Sequence, residues 1–512
     1  MAWLRGLSVL VAVFLLQIGA GAQAKVKIEP PAPLPENLQT TITDAEYEKI
    51  LAAAKKSRKV ASESDTFDYV SAYSDDAKNI QARIIGGSVW KEGKETSARV
   101  AGIQKAADID VLIKDLEANY EQLQPDAKFM AAFWISLKPW KAFIQRARPL
   151  VERHNLSQSA IVTFMRATYA SINVFVPDTP AWKAGFDYVT MPSADMGPDI
   201  SNESQLYHFA SSQILPALDA FNARIYKLNF EAKPIYFDNK VLVRSANFVS
   251  TRDRHVRLGE AERLSVLAGG LLAYSNLAGA MAYSWDGFFK AVDNVGTVYG
   301  FNSKLNDGSM TAARRFQEIK EQSSLFKLRP DGPGAPTYNR SKEWTKNVAF
   351  VKFKEGLRAA RASWTWLKKN AANDDATRNI FDPRAFIPFT RIIDTSFDNI
   401  DSLLHDRGIA SAVVNGQAVD INFKLMFEDP PLALTEFFPV EFEGGQNKQI
   451  DPITRKQYRN YNYGNPKGWN IGAYQKYFPN VKNNEDVKQT ARVLNQAWGG
   501  WLLGIPIAGM TM

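Results

Sequence analysis

Aromatic rings set among amide and cationic side chains are the chemistry of sugar recognition, and one stretch of this chain concentrates them. Segment 458–478 (YRNYNYGNPKGWNIGAYQKYF) carries Tyr458, Tyr461, Tyr463, Trp469, Tyr474, Tyr477 and Phe478, well above the 12% aromatic content of the whole chain. Flat rings stack on the C–H faces of a sugar while neighbouring Asn, Gln and Lys bond its hydroxyls, and Tyr and Trp join an apolar body to a polar tip. The interleaved Asn, Gly and Pro predict loops and turns. Tyr458, Tyr461, Tyr463, Trp469 and Tyr474 are the binding candidates. The competing expectation is a loop folded over the core with its rings as pegs.

A second concentration is basic: Arg244, Arg252, Arg254, His255, Arg257 and Arg263. Guanidinium forks bind phosphate or carboxylate through two parallel hydrogen bonds, so Arg252, Arg254 and Arg257 are candidates for an anionic envelope polymer or lipid head group. Asp253, Glu260 and Glu262 lie among them and offer the alternative of a salt-bridged surface. A third set, Glu436, Glu441 and Glu443 beside Gly444-Gly445, has the carboxylates a glycosidase needs. The alternation of Phe438, Val440 and Phe442 instead predicts a strand whose glutamates face solvent.

Other signatures are missing. The four histidines, His154, His208, His255 and His405, stand alone, and there is no HExxH, calcium loop or cysteine. Neither GxSxG nor a phosphate-cradling GxxxxGK[ST] occurs, and Ser324-Leu325-Phe326-Lys327 lacks the partner motifs that give SxxK its meaning. No metal site and no cofactor are expected, and no catalytic residue is identifiable.

The elements that must position these residues are mostly helical by period. Phe129, Phe133, Leu137, Trp140 and Ile144 step by four, four, three and four, with a kink expected at Pro139. Ile214, Leu218, Phe221, Ile225 and Leu228 repeat the pattern on a helix expected to follow Ser201-Asn202-Glu203, and 234–244 reads as a short β excursion. Stretch 264–285 (LSVLAGGLLAYSNLAGAMAYSW) is uncharged and long enough to span a bilayer. Gly269 with Ala273, and Ala278 with Ala282, would suit close helix contacts there. Its serines and Asn276 favour a helix buried in a large helical domain, apolar all round. After the Pro/Gly-rich segment 327–341 comes a helix over roughly 342–370. Val414-Asn415-Gly416-Gln417 then predicts a hairpin with a type I′ turn, whose second strand alternates from Val419 to Phe427.

The N-terminal 24 residues carry one charge, Arg5, then an apolar run from Leu7 to Leu16 and a small-x-small site, Ala22-Gln23-Ala24, before Lys25. That is the pattern of a secretory signal peptide. A cysteine-free exported chain fits a Gram-negative-type bacterial periplasm or outer surface better than disulfide-rich extracellular surroundings. The Pro-rich stretch 25–42 reads as a spacer, and folded structure is expected from the capping-box pattern Thr43-Asp44-Ala45-Glu46.

These readings predict a mainly α protein: a helical domain over 43–330, then a smaller α+β C-terminal domain over 331–512 containing a β-hairpin. The formal charge of +8 on 512 residues suits adhesion to anionic surfaces but is too dilute for nucleic acid. The expected function is an exported cell-envelope binding or scaffold protein. Its expected partner is a glycan or wall polymer, or another protein, with peripheral membrane contact. A secreted hydrolase of glycan or peptide is the alternative, and a protein inserting 264–285 into a membrane is the third.

Overall fold

The computed structural model describes residues 72–153, 180–231, 233–238, 255–288, 321, 326–329, 341–370, 393–394, 397, 409–414, 417–444, 447–450, 457–460, 464–498, 501–502 and 505–506. The expected signal peptide, spacer and capping box lie outside them, as do most of 327–341.

The first described helix, α1 (Asp75–Ile85), starts where the Ser74 hydroxyl accepts from the Ala77 amide at 3.1 Å, with Asp75 and Asp76 at the positive end of the helix dipole. It leads into the ribbon β1 (Gly87–Lys91) and β2 (Lys94–Val100), whose turn residues Glu92 and Gly93 both have positive φ, as a type I′ turn requires. Next come α2 (Ala106–Asn119), a 3-10 turn Tyr120–Gln122, and α3 (Pro125–Ser136), whose first residue is a proline that needs no amide partner there. The stripe from Phe129 to Ile144 does not run on one kinked helix. It breaks through a 3-10 turn, Lys138–Trp140, and a left-handed Ala142 before α4 (Phe143–Arg153). Pro139 has no amide to donate and its ring clashes with the preceding turn. Phe129 and Trp140 are accordingly core residues, whereas Phe133 is 42% exposed.

Helix α5 (Pro180–Thr190) is followed by α6 (Glu203–Phe209), which begins as expected at Asn202, whose side chain accepts from the Gln205 amide at 2.8 Å. A π turn, Ala210–Ile214, joins α6 to α7 (Leu215–Tyr226), with Leu215 donating to Ala210. Pro216 cannot donate there, which opens the turn. The β excursion forms as β3 (Ile235–Asp238), paired antiparallel with β4 (His255–Leu258).

The uncharged stretch forms most of α8 (Glu260–Ala280). It is buried against α9 (Phe350–Asn370), which continues from a helical turn Ser341–Trp344 and a π turn Thr345–Ala349. Two of the serines that argued against a bilayer, together with Trp344, make interhelical bonds. Ser275 Oγ donates to the Ala349 carbonyl at 2.7 Å, Ser265 and Ser363 hydroxyls lie 2.6 Å apart, and Trp344 Nε1 donates to Ala278 at 2.7 Å. Among the described residues no helix is long and apolar enough to cross a membrane.

Of the small residues the spacing singled out, Ala278 and Ala282 are fully buried, but Gly269 makes no close contact. Gly269 faces open space, whereas a Cβ on Gly270 would lie 2.0 Å from Asn222 Oδ1 of α7, and a Cβ on Gly356 of α9 would lie 2.8 Å from Leu272. Gly270→Ala is therefore expected to cost about 1–3 kcal/mol through overpacking. Gly269→Ala, with no such neighbour, is expected to stabilise by about 0.5–1 kcal/mol through helix propensity. Urea denaturation of the two variants checks the pair, and adding Asn222→Ala should recover most of the Gly270→Ala loss.

Two charged groupings are buried among these helices. Arg263 is bonded to Glu260 through both side chains and to the carbonyl of Ile225 at the end of α7. Lys352 lies 3.0 Å from Glu355 and 3.9 Å from Asp219, whose carboxyl burial pushes up and Lys352 pulls back down.

After residue 330 strands become more frequent. β5 (Ile409–Val414) pairs with β6 (Gln417–Asn422), Val414 opposite Gln417, so two residues connect them as the Asn-Gly pair predicts. The alternation past Asn422 is not strand. Asn422 accepts from the Leu425 amide at 3.0 Å and starts α10 (Phe423–Glu428). A long ribbon follows, with β7 (Glu441–Gly444), β8 (Asn447–Ile450), β9 (Gln457–Asn460) and β10 (Gly464–Gly468). Its outer pair is β7 with β10 and its inner pair β8 with β9. Then come α11 (Ile471–Tyr477), α12 (Asn484–Trp498) and a final pair, β11 (Trp501–Leu502) with β12 (Ile505–Pro506).

The chain is mainly α with short antiparallel strand pairs. Its largest apolar cluster draws Trp140 from the α3–α4 connection, Phe209 from α6, Tyr274 from α8, Trp344, Phe427, Phe438, Tyr474 and Phe478. The expected domain boundary at 330 thus falls between α8 and α9, which pack on one another.

Candidate functional site

The sequence candidates divide by burial. Trp469 is 5% exposed and Tyr474 1%, both within the main cluster, so neither presents a ring face to solvent. The Tyr474 hydroxyl donates to the Phe437 carbonyl at 2.8 Å, and the Tyr477 hydroxyl to that of Asp429 at 2.8 Å. This corrects the expected platform at Trp469 and Tyr474. Trp469 lies in the two-residue connection between β10 and α11, where it is buried, and the turns of α11 point Tyr474 and Tyr477 inward. Tyr458 lies in β9 opposite Gln449. Tyr461, Tyr463, Arg252 and Arg254 lie outside the described residues. Arg257 is half-buried in β4 opposite Tyr236, and Arg263 is interior. Glu436 and Glu441 are exposed. Among the described residues no three His, Asp or Glu side chains gather as metal ligands.

What the tertiary structure does bring together is a basic cleft of about 270 Å³, lined by Tyr120, Glu121, Pro125, Lys128, Arg224, Lys227, Leu228 and Asn229. Tyr120 enters from the 3-10 turn that reverses the chain between α2 and α3, a turn closed by the Leu123 amide donating to the Tyr120 carbonyl at 3.2 Å. Pro125 opens α3 and places Lys128 within its first turn. Arg224 and Lys227 come from the last turn of α7, where cations also oppose the negative end of the helix dipole.

Tyr120 is 7% exposed and its ring joins the core packed between α1, α2, α3 and α5. The Arg224 guanidinium carbon is 5.2 Å from the ring centroid and Lys128 Nζ 5.9 Å, within cation–π range. Lys128 donates to the Glu121 carbonyl at 2.9 Å and lies 3.8 Å from its largely exposed carboxylate. Among the described residues neither Arg224 nor Lys227 makes a salt bridge, and the buried Tyr120 hydroxyl has no hydrogen-bond partner. Burial pushes that phenol up to about 12, with Arg224 pulling the other way, so it is a neutral donor at physiological pH. An unbonded buried hydroxyl below spare cations is an arrangement completed by an anion.

Sequence reading missed this site because its halves lie about a hundred residues apart. Lys128 sits on α3 and Arg224 on α7, and no short motif links them. Comparison with known protein families, with curated proteins and with solved structures finds no match.

Proposed function

We propose that the chain is an exported cell-envelope binding or scaffold protein that takes hold of an anionic group of an envelope polymer through the Tyr120 cleft. The observation that carries this reading is that Arg224 and Lys227, cations without salt bridges among the described residues, line one cleft with a buried phenol whose hydroxyl has no hydrogen-bond partner among them. The excess of basic residues over the whole chain supports it, since a positive surface draws anionic polymers and holds them in a salt-dependent way.

The test is retention of purified protein on immobilised lipopolysaccharide and peptidoglycan. A charge-assisted hydrogen bond contributes about 1.5–3 kcal/mol, so Arg224→Gln is expected to weaken retention roughly tenfold or more. Its melting temperature should hardly change, because a surface cation without a salt bridge is removed. Lys488→Gln, which removes a charge paired with Glu485 on α12, is the control and should retain like wild type. Equal loss in both variants, or none in Arg224→Gln, overturns the reading. Protein from the envelope fraction should begin at Lys25, and a retained Met1 there overturns export.

A further inference from the structure

We propose that the group held in the Tyr120 cleft is a phosphate ester, a tetrahedral oxyanion carried on a sugar or a lipid, in preference to a carboxylate or a neutral sugar ring. This rests on the reading of the cleft as an anion site and names the class of anion.

The aromatic ring argues against a sugar as the recognised group. Tyr120 is almost fully buried, and Lys128 and Arg224 lie across what remains of its ring. No open face is left for stacking. The ring instead orients the two cations, which makes Tyr120 a positioning residue as well as a donor.

The donors argue for three acceptor oxygens. A carboxylate presents two oxygens in one plane, which a single guanidinium fork satisfies. Here the donors come from three separate elements: the phenol from the 3-10 turn, the Lys128 ammonium from α3, and Arg224 with Lys227 from α7. Such a set meets an anion from several directions, and a phosphate ester offers three strong acceptor oxygens. An anion oxygen at the phenol supplies the acceptor that its hydroxyl lacks among the described residues.

Charge gives the same answer. Glu121 already accompanies Lys128, which leaves two cations, Arg224 and Lys227, without salt bridges among the described residues. A phosphomonoester carries about −1.5 to −2 at neutral pH and balances both, whereas a carboxylate leaves one over. The size of the cleft, about 270 Å³, falls just below the range of pockets for drug-sized ligands, and suits a phosphate with the first atoms of its ester.

The test is calorimetric titration of the purified protein, at fixed ionic strength, with inorganic phosphate, glucose phosphate and acetate. Phosphate and glucose phosphate are expected to bind at least about tenfold more tightly than acetate. Arg224→Gln and Tyr120→Phe should each lose about tenfold in phosphate affinity while melting no lower than wild type by more than a few degrees. Loss in Arg224→Gln with none in Tyr120→Phe overturns the role of the phenol. Flotation with vesicles containing phosphatidic acid separates the sources: Arg224-dependent binding assigns the ester to a lipid, and binding to glucose phosphate alone assigns it to a glycan. Acetate binding as tightly as phosphate, with Arg224→Gln weakening both, overturns the phosphate assignment and leaves the anion site standing. Polymer retention that ignores Arg224→Gln overturns the site itself.

Discussion

Arg263→Met is expected to destabilise the protein by about 3–5 kcal/mol, because it leaves a carboxylate buried and unpaired. The side chains of Arg263 and Glu260 are 5% and 8% exposed at the N-terminal end of α8. Arg263 Nε donates to Glu260 Oε2 at 2.8 Å, and a second guanidinium nitrogen bonds the other carboxylate oxygen. The guanidinium also donates to the Ile225 carbonyl at 3.0 Å, one of the acceptors that the end of α7 leaves unsatisfied within the helix. Glu260 in turn accepts from the Phe230 amide at 2.9 Å. One pair of side chains therefore ties α7, the chain after it and the start of α8. Glu260→Leu added to Arg263→Met should recover part of the loss, since an apolar pair replaces two buried charges, while the Phe230 amide loses its acceptor and the Ile225 carbonyl keeps the Leu228 amide. Equilibrium urea unfolding measures both. A single variant as stable as wild type would sink this account of the α7–α8 joint.

Tyr474→Ala and Trp469→Ala are each expected to cost about 3–5 kcal/mol, the range for removing a large ring from a packed core. Tyr474 is 1% exposed, lies edge-on to Phe437 with ring centroids 5.1 Å apart, and donates to the Phe437 carbonyl. Trp469 is interior, and its amide donates to Asn484 Oδ1 at 3.0 Å, fixing the start of α12 against the end of β10. Tyr474→Phe keeps the ring and loses only the hydrogen bond, so it should cost about 1–3 kcal/mol. The measurement is the denaturation midpoint of the three variants together with retention on the envelope polymers. Alanine variants that melt like wild type but lose retention would restore these rings as a binding platform.

Local signals were legible wherever the physics is local. An Asn-Gly pair suits a two-residue hairpin turn, and the strands that flank Asn415-Gly416 pair in that register, Val414 opposite Gln417. Asn202 starts a helix because its side chain reaches an amide three residues on. The same device at Asn422 overrides the alternation from Val419 to Phe427, because its side chain accepts from the Leu425 amide. Asn422 ends the strand and starts α10. Pro139 was seen, but whether it kinks a helix or ends one depends on what receives the chain. Here the Ala142 amide donates to the Tyr188 carbonyl at 2.7 Å, which holds a separate second helix.

The sequence by itself determined the class and the main periods: a mainly α chain, an uncharged helix over 264–280, and a two-residue hairpin connection at 415–416. Those follow from residue spacing and turn chemistry, which act within about ten positions. Only the tertiary structure decided which of two adjacent glycines, Gly269 or Gly270, another helix approaches, because a rotation of one residue about the axis changes the neighbour and leaves the pattern intact. It decided that Trp469 and Tyr474 lie inside, because ring density is the same on a surface and in a core. It also decided that Tyr120, Lys128, Arg224 and Lys227 share a cleft, because the packing of α3 against α7 joins residues about a hundred positions apart that no spacing along the chain relates.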